Sequence, residues 1–366
     1  MKRVWWRQIQ AVMRLEIKKT FFAKRGLWIY VLAAMPVFLF MAYAASVSRN
    51  QSRMTEMARD SEKPLTYQDL LAVKHGMTKQ EVIAIVGKPA NTFRWTERRP
   101  AGPNSTKDIH HERFSYSDGQ HTLYVELEDG EVEAVTLADG SDLTRDSTVF
   151  AGIFQFFFLR LAIFFGCLGI FMNLFRGEVL DRSLHFYFLA PVRREVLMAG
   201  KFLAGLITTC AIFVTSEILQ TAAFLWAYNP IARNLYLYQN HGLEHAAAYV
   251  GITVLACAGY GAFFLVAGMF FRNPIAPAAV ILIWEGINPF LPSVLKQFSV
   301  IYYLKSLCPV DVPIPPGMHP LLALLISNSN PVSAPVAILG LLTVALIALY
   351  ASSLQVRRME INYTTE

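Results

Sequence analysis

Six stretches of this chain constrain its fold more than any other feature, because each is apolar over a long run: residues 26–47, 148–175, 202–228, 246–271, 274–291 and 333–356. A helix needs about 20 such residues to cross about 30 Å of hydrocarbon. Inside a bilayer only helices and closed barrels satisfy their own backbone groups. The composition agrees with a membrane protein, since 54% of the residues are hydrophobic and 16% charged. The pattern predicts a mainly α protein with six transmembrane helices, the fifth short and interrupted by Pro289 and Pro292. Leu321–Ile326 is too short to cross and reads as an interfacial or re-entrant piece.

Residues 1–25 carry eight Lys and Arg against a single acid, Glu16. Trp5, Ile9, Met13, Ile17 and Phe21 recur every four positions, so one helical face is apolar and the other basic. Such a helix lies along the lipid headgroups. The first span, 26–47, is longer than the core of a cleavable signal peptide and follows a long basic leader, so it is expected to stay. Basic flanks mark the cytoplasmic side. The leader, the segment 176–201 and the pair Arg357–Arg358 then all fall there, with both termini cytoplasmic and residues 48–147 outside. The net charge of +6 is explained by topology and anionic lipid, with no need for nucleic acid.

Segment 176–201 places eight charges and a proline between two apolar blocks. Its order is Glu178, then Asp181-Arg182-Ser183-Leu184, then Leu189-Ala190-Pro191-Val192-Arg193-Arg194-Glu195, then Gly200-Lys201. This order resembles the first cytoplasmic loop of the membrane (permease) subunits of type-2 ABC exporters. The likeness extends to the basic leader helix and six spans, over roughly 1–47 and 148–366. The resemblance implies that loop 176–195 docks on a separate ATP-binding subunit through Glu178, Asp181, Arg182, Pro191, Arg193, Arg194 and Glu195. It also implies a dimer of permease chains, identical or not. The chain contains no G-x-x-x-x-G-K-[ST] phosphate loop, so ATP and magnesium would sit on the partner and this chain would hold no cofactor.

The segment 48–147 reads as a separate α+β domain. A polar linker, Arg49–Pro64, leads to two short helices, Tyr67–Lys74 and Thr78–Val86. Thr78 and Glu81 are spaced as a capping box. Strand signals follow at Thr92–Trp95, Glu112–Ser117, His121–Glu128 and Glu131–Leu137, the last two joined by the hairpin turn Asp129-Gly130. The stretches Gly76-Met77-Thr78-Lys79-Gln80-Glu81-Val82, Val86-Gly87-Lys88-Pro89 and Leu127-Glu128-Asp129-Gly130-Glu131-Val132 resemble the small SmpA/OmlA (BamE-like) domain of outer-membrane assembly lipoproteins. The lipidated cysteine of those proteins is missing here. The resemblance implies a periplasmic binding module with a possible periplasmic partner, and a bacterial inner membrane.

Three ionisable residues fall inside predicted spans: Arg160, Glu217 and Glu285. Each is costly in hydrocarbon without a partner or a wet cavity. Helical counting puts Arg160 and Glu217 at similar depth, so these two are expected to pair, either as a structural bridge or on a substrate route. His241-Gly242-Leu243-Glu244-His245 matches the inverted zinc-protease pattern H-x-x-E-H, but a third ligand is not evident and interfacial packing is the expected role. His110-His111-Glu112 is weaker still. The four cysteines show neither a disulfide framework nor metal-ligand spacing. The expected function is therefore transport rather than catalysis. The alternatives are a non-transporting membrane scaffold acting through its external domain, and a membrane zinc protease.

Overall fold

The computed structural model describes residues 2–21, 26–102, 105–140, 142–180, 193–271, 273, 275–313, 319 and 331–358. The chain divides into two compact units, Ala42–Asp146 and the remainder, Met1–Met41 with Ser147–Glu366. Helix α1 is Lys2–Phe21, and α2, Leu27–Asp60, contributes residues to both units. The expected linker Arg49–Pro64 is helical as far as Asp60. Between Arg49 and Asp60 there is neither Gly nor Pro to stop the helix.

In the smaller unit, α3 (Tyr67–Leu71) and α4 (Lys79–Val86) each begin with a capping box, Thr66 with Asp69 and Thr78 with Glu81. The four strands β1 (Asn91–Gly102), β2 (Ser105–Ser117), β3 (His121–Glu128) and β4 (Glu131–Asp139) form an antiparallel sheet in sequence order. Asp129 and Gly130 both have positive φ, 49° and 94°. That is the two-residue primed turn whose twist suits a hairpin. Leu70, Val82 and Val86 from the helices pack on Phe114, Tyr116, Leu123, Val125, Leu127 and Val132 to make the core.

In the larger unit, α5 (Leu143–Ile153) runs on through a π-helical segment, Phe154–Ile163, into α6 (Phe164–Phe171) and α7 (Asn173–Leu180). Then come α8 (Arg194–Trp226), α9 (Pro230–Gln239) and α10 (Gly242–Phe270). They are followed by α11 (Ile275–Ile287), a 3-10 turn (Asn288–Phe290), α12 (Ser293–Lys296), α13 (Val300–Leu307) and α14 (Ala334–Arg358). Among the described residues, five helices are long and apolar enough to cross a membrane: Leu27–Asp60, Leu143–Phe175, Arg194–Trp226, Gly242–Phe270 and Ala334–Arg357. The protein is therefore a multi-pass membrane protein.

Within the expected fifth span, 274–291, lie the 13-residue α11 and its 3-10 turn. At about 1.5 Å per residue, α11 covers only about 20 Å. Pro289 has no N–H for the next helical hydrogen bond and ends it, while Pro292 stands at the start of α12. Leu321–Ile326 lies outside the described residues.

Aromatic side chains fill the interior. Phe154, Phe158 and Phe164 are buried against Tyr249, Phe213 and Phe264 respectively. Phe171 is wedged between two helices at glycines: a Cβ on Gly205 or Gly261 would come within 2.7 or 2.5 Å of its ring. Small residues at such crossings let backbones approach, which is how membrane helices gain packing without a hydrophobic driving force.

Candidate functional site

The start of α8 joins three other parts of the chain. A Cβ on Gly200 would stand 2.9 Å from Cβ of Val12 on α1, so glycine permits this close approach. Lys201, the next residue, is fully buried. Its ammonium donates to Glu16 of α1 at 2.6 Å and to the Leu174 carbonyl of α7 at 2.8 Å, and it lies over the Phe175 ring. Arg193 stacks its guanidinium over Trp5 of α1, 4.9 Å from the ring centre. Arg194 donates to the carbonyls of Val356 and Arg357 at 3.4 and 2.9 Å, meeting acceptors that the end of α14 leaves open. Arg357 in turn pairs with Glu195 at 2.6 Å.

Of the loop residues predicted to dock on a partner, Arg193, Arg194 and Glu195 meet within this junction, each engaged by another segment of the same chain. Glu178 is near the end of α7, while Asp181, Arg182 and Pro191 lie outside the described residues. Sequence reasoning named Gly200-Lys201 without assigning a contact, and gave Glu16 no role. The available signal was a lone carboxylate in an otherwise cationic amphipathic helix.

The expected bridge between Arg160 and Glu217 is not formed. Glu217 accepts from the Thr221 hydroxyl at 2.9 Å. Arg160 lies over the Phe156 ring at 5.4 Å, and its buried Nε and Nη2 make no hydrogen bond among the described residues. Equal depth, which is all that helical counting supplied, does not decide which way a side chain faces, and Arg160 lies in a π-helical segment, Phe154–Ile163, whose turns are wider than those of an α-helix. Lys305 of α13 approaches the same Phe156 ring at 5.7 Å, a second cation there that sequence reasoning left unassigned.

Glu285 has a definite task. Its carboxylate accepts from the Ser299 hydroxyl at 2.7 Å and from the backbone N–H groups of Val300 and Ile301 at 3.0 and 2.9 Å. It thereby caps the start of α13 from 14 residues away along the chain. A buried helix start needs such an acceptor, because its first N–H groups have no partner within the helix.

In His241–His245, His241 adopts a left-handed conformation (φ 58°) at the start of α10, and its Nδ1 lies 3.0 Å from a Glu244 carboxylate oxygen. His245 packs edge-on to Tyr236 at 6.4 Å. Among the described residues no third potential ligand joins them in a metal-sized group. No protein family, curated protein or solved structure matches the chain.

Proposed function

We propose that this chain is the permease subunit of an ATP-driven ABC exporter, moving a substrate out of the cytoplasm or the inner leaflet. ATP would be hydrolysed on a separate subunit docked at loop 176–195. The observation that carries the reading is the junction at the start of α8. A loop that receives a push must hand it to the transmembrane helices through stiff contacts. Here the residues leaving the loop are held to α1 by Lys201–Glu16 and Arg193–Trp5, to α7 by Lys201, and to α14 by Arg194 and Glu195. Closure of the partner subunits would move these helices as one body.

The same contacts support an even number of crossings. The start of α8 and the end of α14 share one membrane face, α8 leaves that face, and α10 returns to it. Residues between α10 and α14 must then cross once more, and α11 to α13 are read as that broken crossing. Backbone that is irregular at membrane depth is tolerated where protein satisfies it, and Glu285 does this for α13. Six crossings, cytoplasmic termini and an external Ala42–Asp146 unit complete the reading.

The test is purification of the tagged chain from its native membrane, followed by identification of co-purifying proteins and measurement of ATPase activity. An ATP-binding subunit should accompany the wild type, and R182E should lose it while inserting normally. Purification without any ATP-binding protein would refute the proposal. Retention of that subunit by R182E, with unchanged ATPase activity, would remove the loop from the docking surface.

A further inference from the structure

Arg160 stands near the middle of the long apolar run Leu143–Phe175, in the segment Phe154–Ile163 that departs from α to π geometry. Such departures gather at functional sites, and a charge at that position in a membrane-crossing helix is costly unless something meets it. Two of the guanidinium nitrogens, Nε and Nη2, are buried and make no hydrogen bond among the described residues. These two belong together. The Nε–H and one Nη2–H lie parallel along one edge of the planar group, the edge that takes two oxygens of a carboxylate or phosphate at once. Arg113 in the sheet shows that edge filled, since its Nε and Nη2 both donate to the Glu126 carboxylate. On Arg160 the same edge is empty.

The buried acids of the same apolar stretches are engaged elsewhere. Glu217 accepts from Thr221, and Glu285 accepts from Ser299, Val300 and Ile301. What does stand beside Arg160 is a second cation. The Lys305 ammonium and the Arg160 guanidinium approach one ring, Phe156, at 5.7 and 5.4 Å from its centre. Gln155 of the same π-helical segment donates to the Val310 carbonyl at 3.2 Å, which fixes that segment to the chain just beyond α13. Two cations held together in apolar surroundings repel each other. An anion bound there offsets that repulsion and supplies the acceptors that a buried donor pair requires.

We infer that Arg160 and Lys305 bind the anionic head of an amphiphile, a phosphate or carboxylate on an apolar tail. Two oxygens of the head meet the Nε–Nη2 edge of Arg160, and Lys305 adds its charge. The tail follows from the setting. Phe156, Phe157 and Leu161 beside the arginine are partly exposed, as is Arg160 itself, so the head is reached past apolar side chains that an alkyl chain can cover. A small hydrated ion would have to shed its water to come there and would gain no contact with those side chains. The inference concerns binding by this chain alone and does not rest on the exporter reading.

The test uses the full chain, delipidated in neutral maltoside micelles and titrated with radiolabelled dodecyl phosphate. Saturable binding of one equivalent should raise the unfolding midpoint. R160Q should weaken binding at least about tenfold, the scale of charge-assisted hydrogen bonds. R160K keeps the charge without the two-pronged edge and should still lose several-fold, as should K305Q. R145Q, which removes an exposed arginine of the same helical run, should bind as the wild type does. Neither inorganic phosphate, the head alone, nor 1-dodecanol, the tail alone, should displace the probe at equal concentration. Displacement by either one overturns the amphiphile. If R160Q does not fold, R160K and K305Q decide. Absence of saturable binding, or wild-type affinity in a folded Arg160 variant, overturns the site.

Discussion

Lys201 and Glu16, 185 residues apart, form an ion pair of 2.6 Å in which neither side chain is more than 2% exposed. The pair sits where α8 emerges from the charged loop, and it binds that point to the amphipathic leader. The Leu174 carbonyl takes another ammonium hydrogen, so the lysine's charge is shared with α7 as well. Burial this complete makes the pair sensitive to losing one member and tolerant of losing both.

Lys201→Met or Glu16→Leu alone should therefore cost about 3–5 kcal/mol, since each strands a buried charge. Glu16→Leu/Lys201→Met together should recover much of that loss. Detergent-solubilised unfolding midpoints decide the matter. Simple additivity of the two single changes would show that the residues are not coupled.

The Glu195–Arg357 pair is of another kind, because its side chains are 36% and 60% exposed. Its contribution to stability should be below about 1 kcal/mol. Its expected importance is mechanical, holding the end of α14 to the start of α8. Glu195→Arg should leave the unfolding midpoint almost unchanged yet depress the ATPase activity of the assembled complex, and Glu195→Arg/Arg357→Glu should restore it. Full activity in the single variant would argue that α14 takes no part in coupling.

Local signals in the sequence were legible and distant ones were not. The Thr78–Glu81 capping box and the Asp129-Gly130 hairpin were readable because each is settled within a few residues. The apolar blocks marked the long helices for the same reason. Arg160 was matched with Glu217 on depth alone, which leaves open the side each faces, and the π-helical segment around it has no marker in composition. Lys201–Glu16 depends on tertiary pairing across 185 residues, which no local pattern announces. Glu285 was noticed as a buried acid, but its capping role required knowing that the chain breaks and restarts at Ser299.

Acid should weaken the Ala42–Asp146 unit in a predictable window. The Thr66 hydroxyl and backbone N–H hold the Asp69 carboxyl below its ordinary value, and the backbone N–H and hydroxyl of Thr78 do the same for Glu81. Burial pushes Asp118 up, but hydrogen bonds from the His121 side chain and from the backbone of His121 and Gln120 outweigh it and leave the carboxyl low. A carboxyl whose folded pKa is depressed stabilises the native state above its unfolded value of about 4, and loses that contribution as pH falls through the folded value. Hydrogen exchange of residues 67–139 in the full chain should be level from about pH 7 to 5, after correction for intrinsic rates, and protection should drop below about pH 4. Asp118→Asn should make the drop shallower. Protection that rises on acidification would reverse the assigned sign.

Arg160, Glu217 and Glu285 offer the sharpest contrast between helical counting and the folded chain. Because Glu217 bonds Thr221 and Arg160 faces Phe156, Arg160→Leu and Glu217→Leu should destabilise independently, with the double change additive to within about 0.5 kcal/mol. Glu285→Gln alone should be the costliest of the three. It places an amide donor against the Val300 and Ile301 N–H groups or gives up the charge-assisted bonds they make, each worth about 1.5–3 kcal/mol. Double-mutant cycles from unfolding in detergent supply all these values. A coupling above about 1 kcal/mol between Arg160 and Glu217 would mean that the two side chains do meet in the folded chain, and that the Thr221 hydroxyl is not the partner that satisfies Glu217.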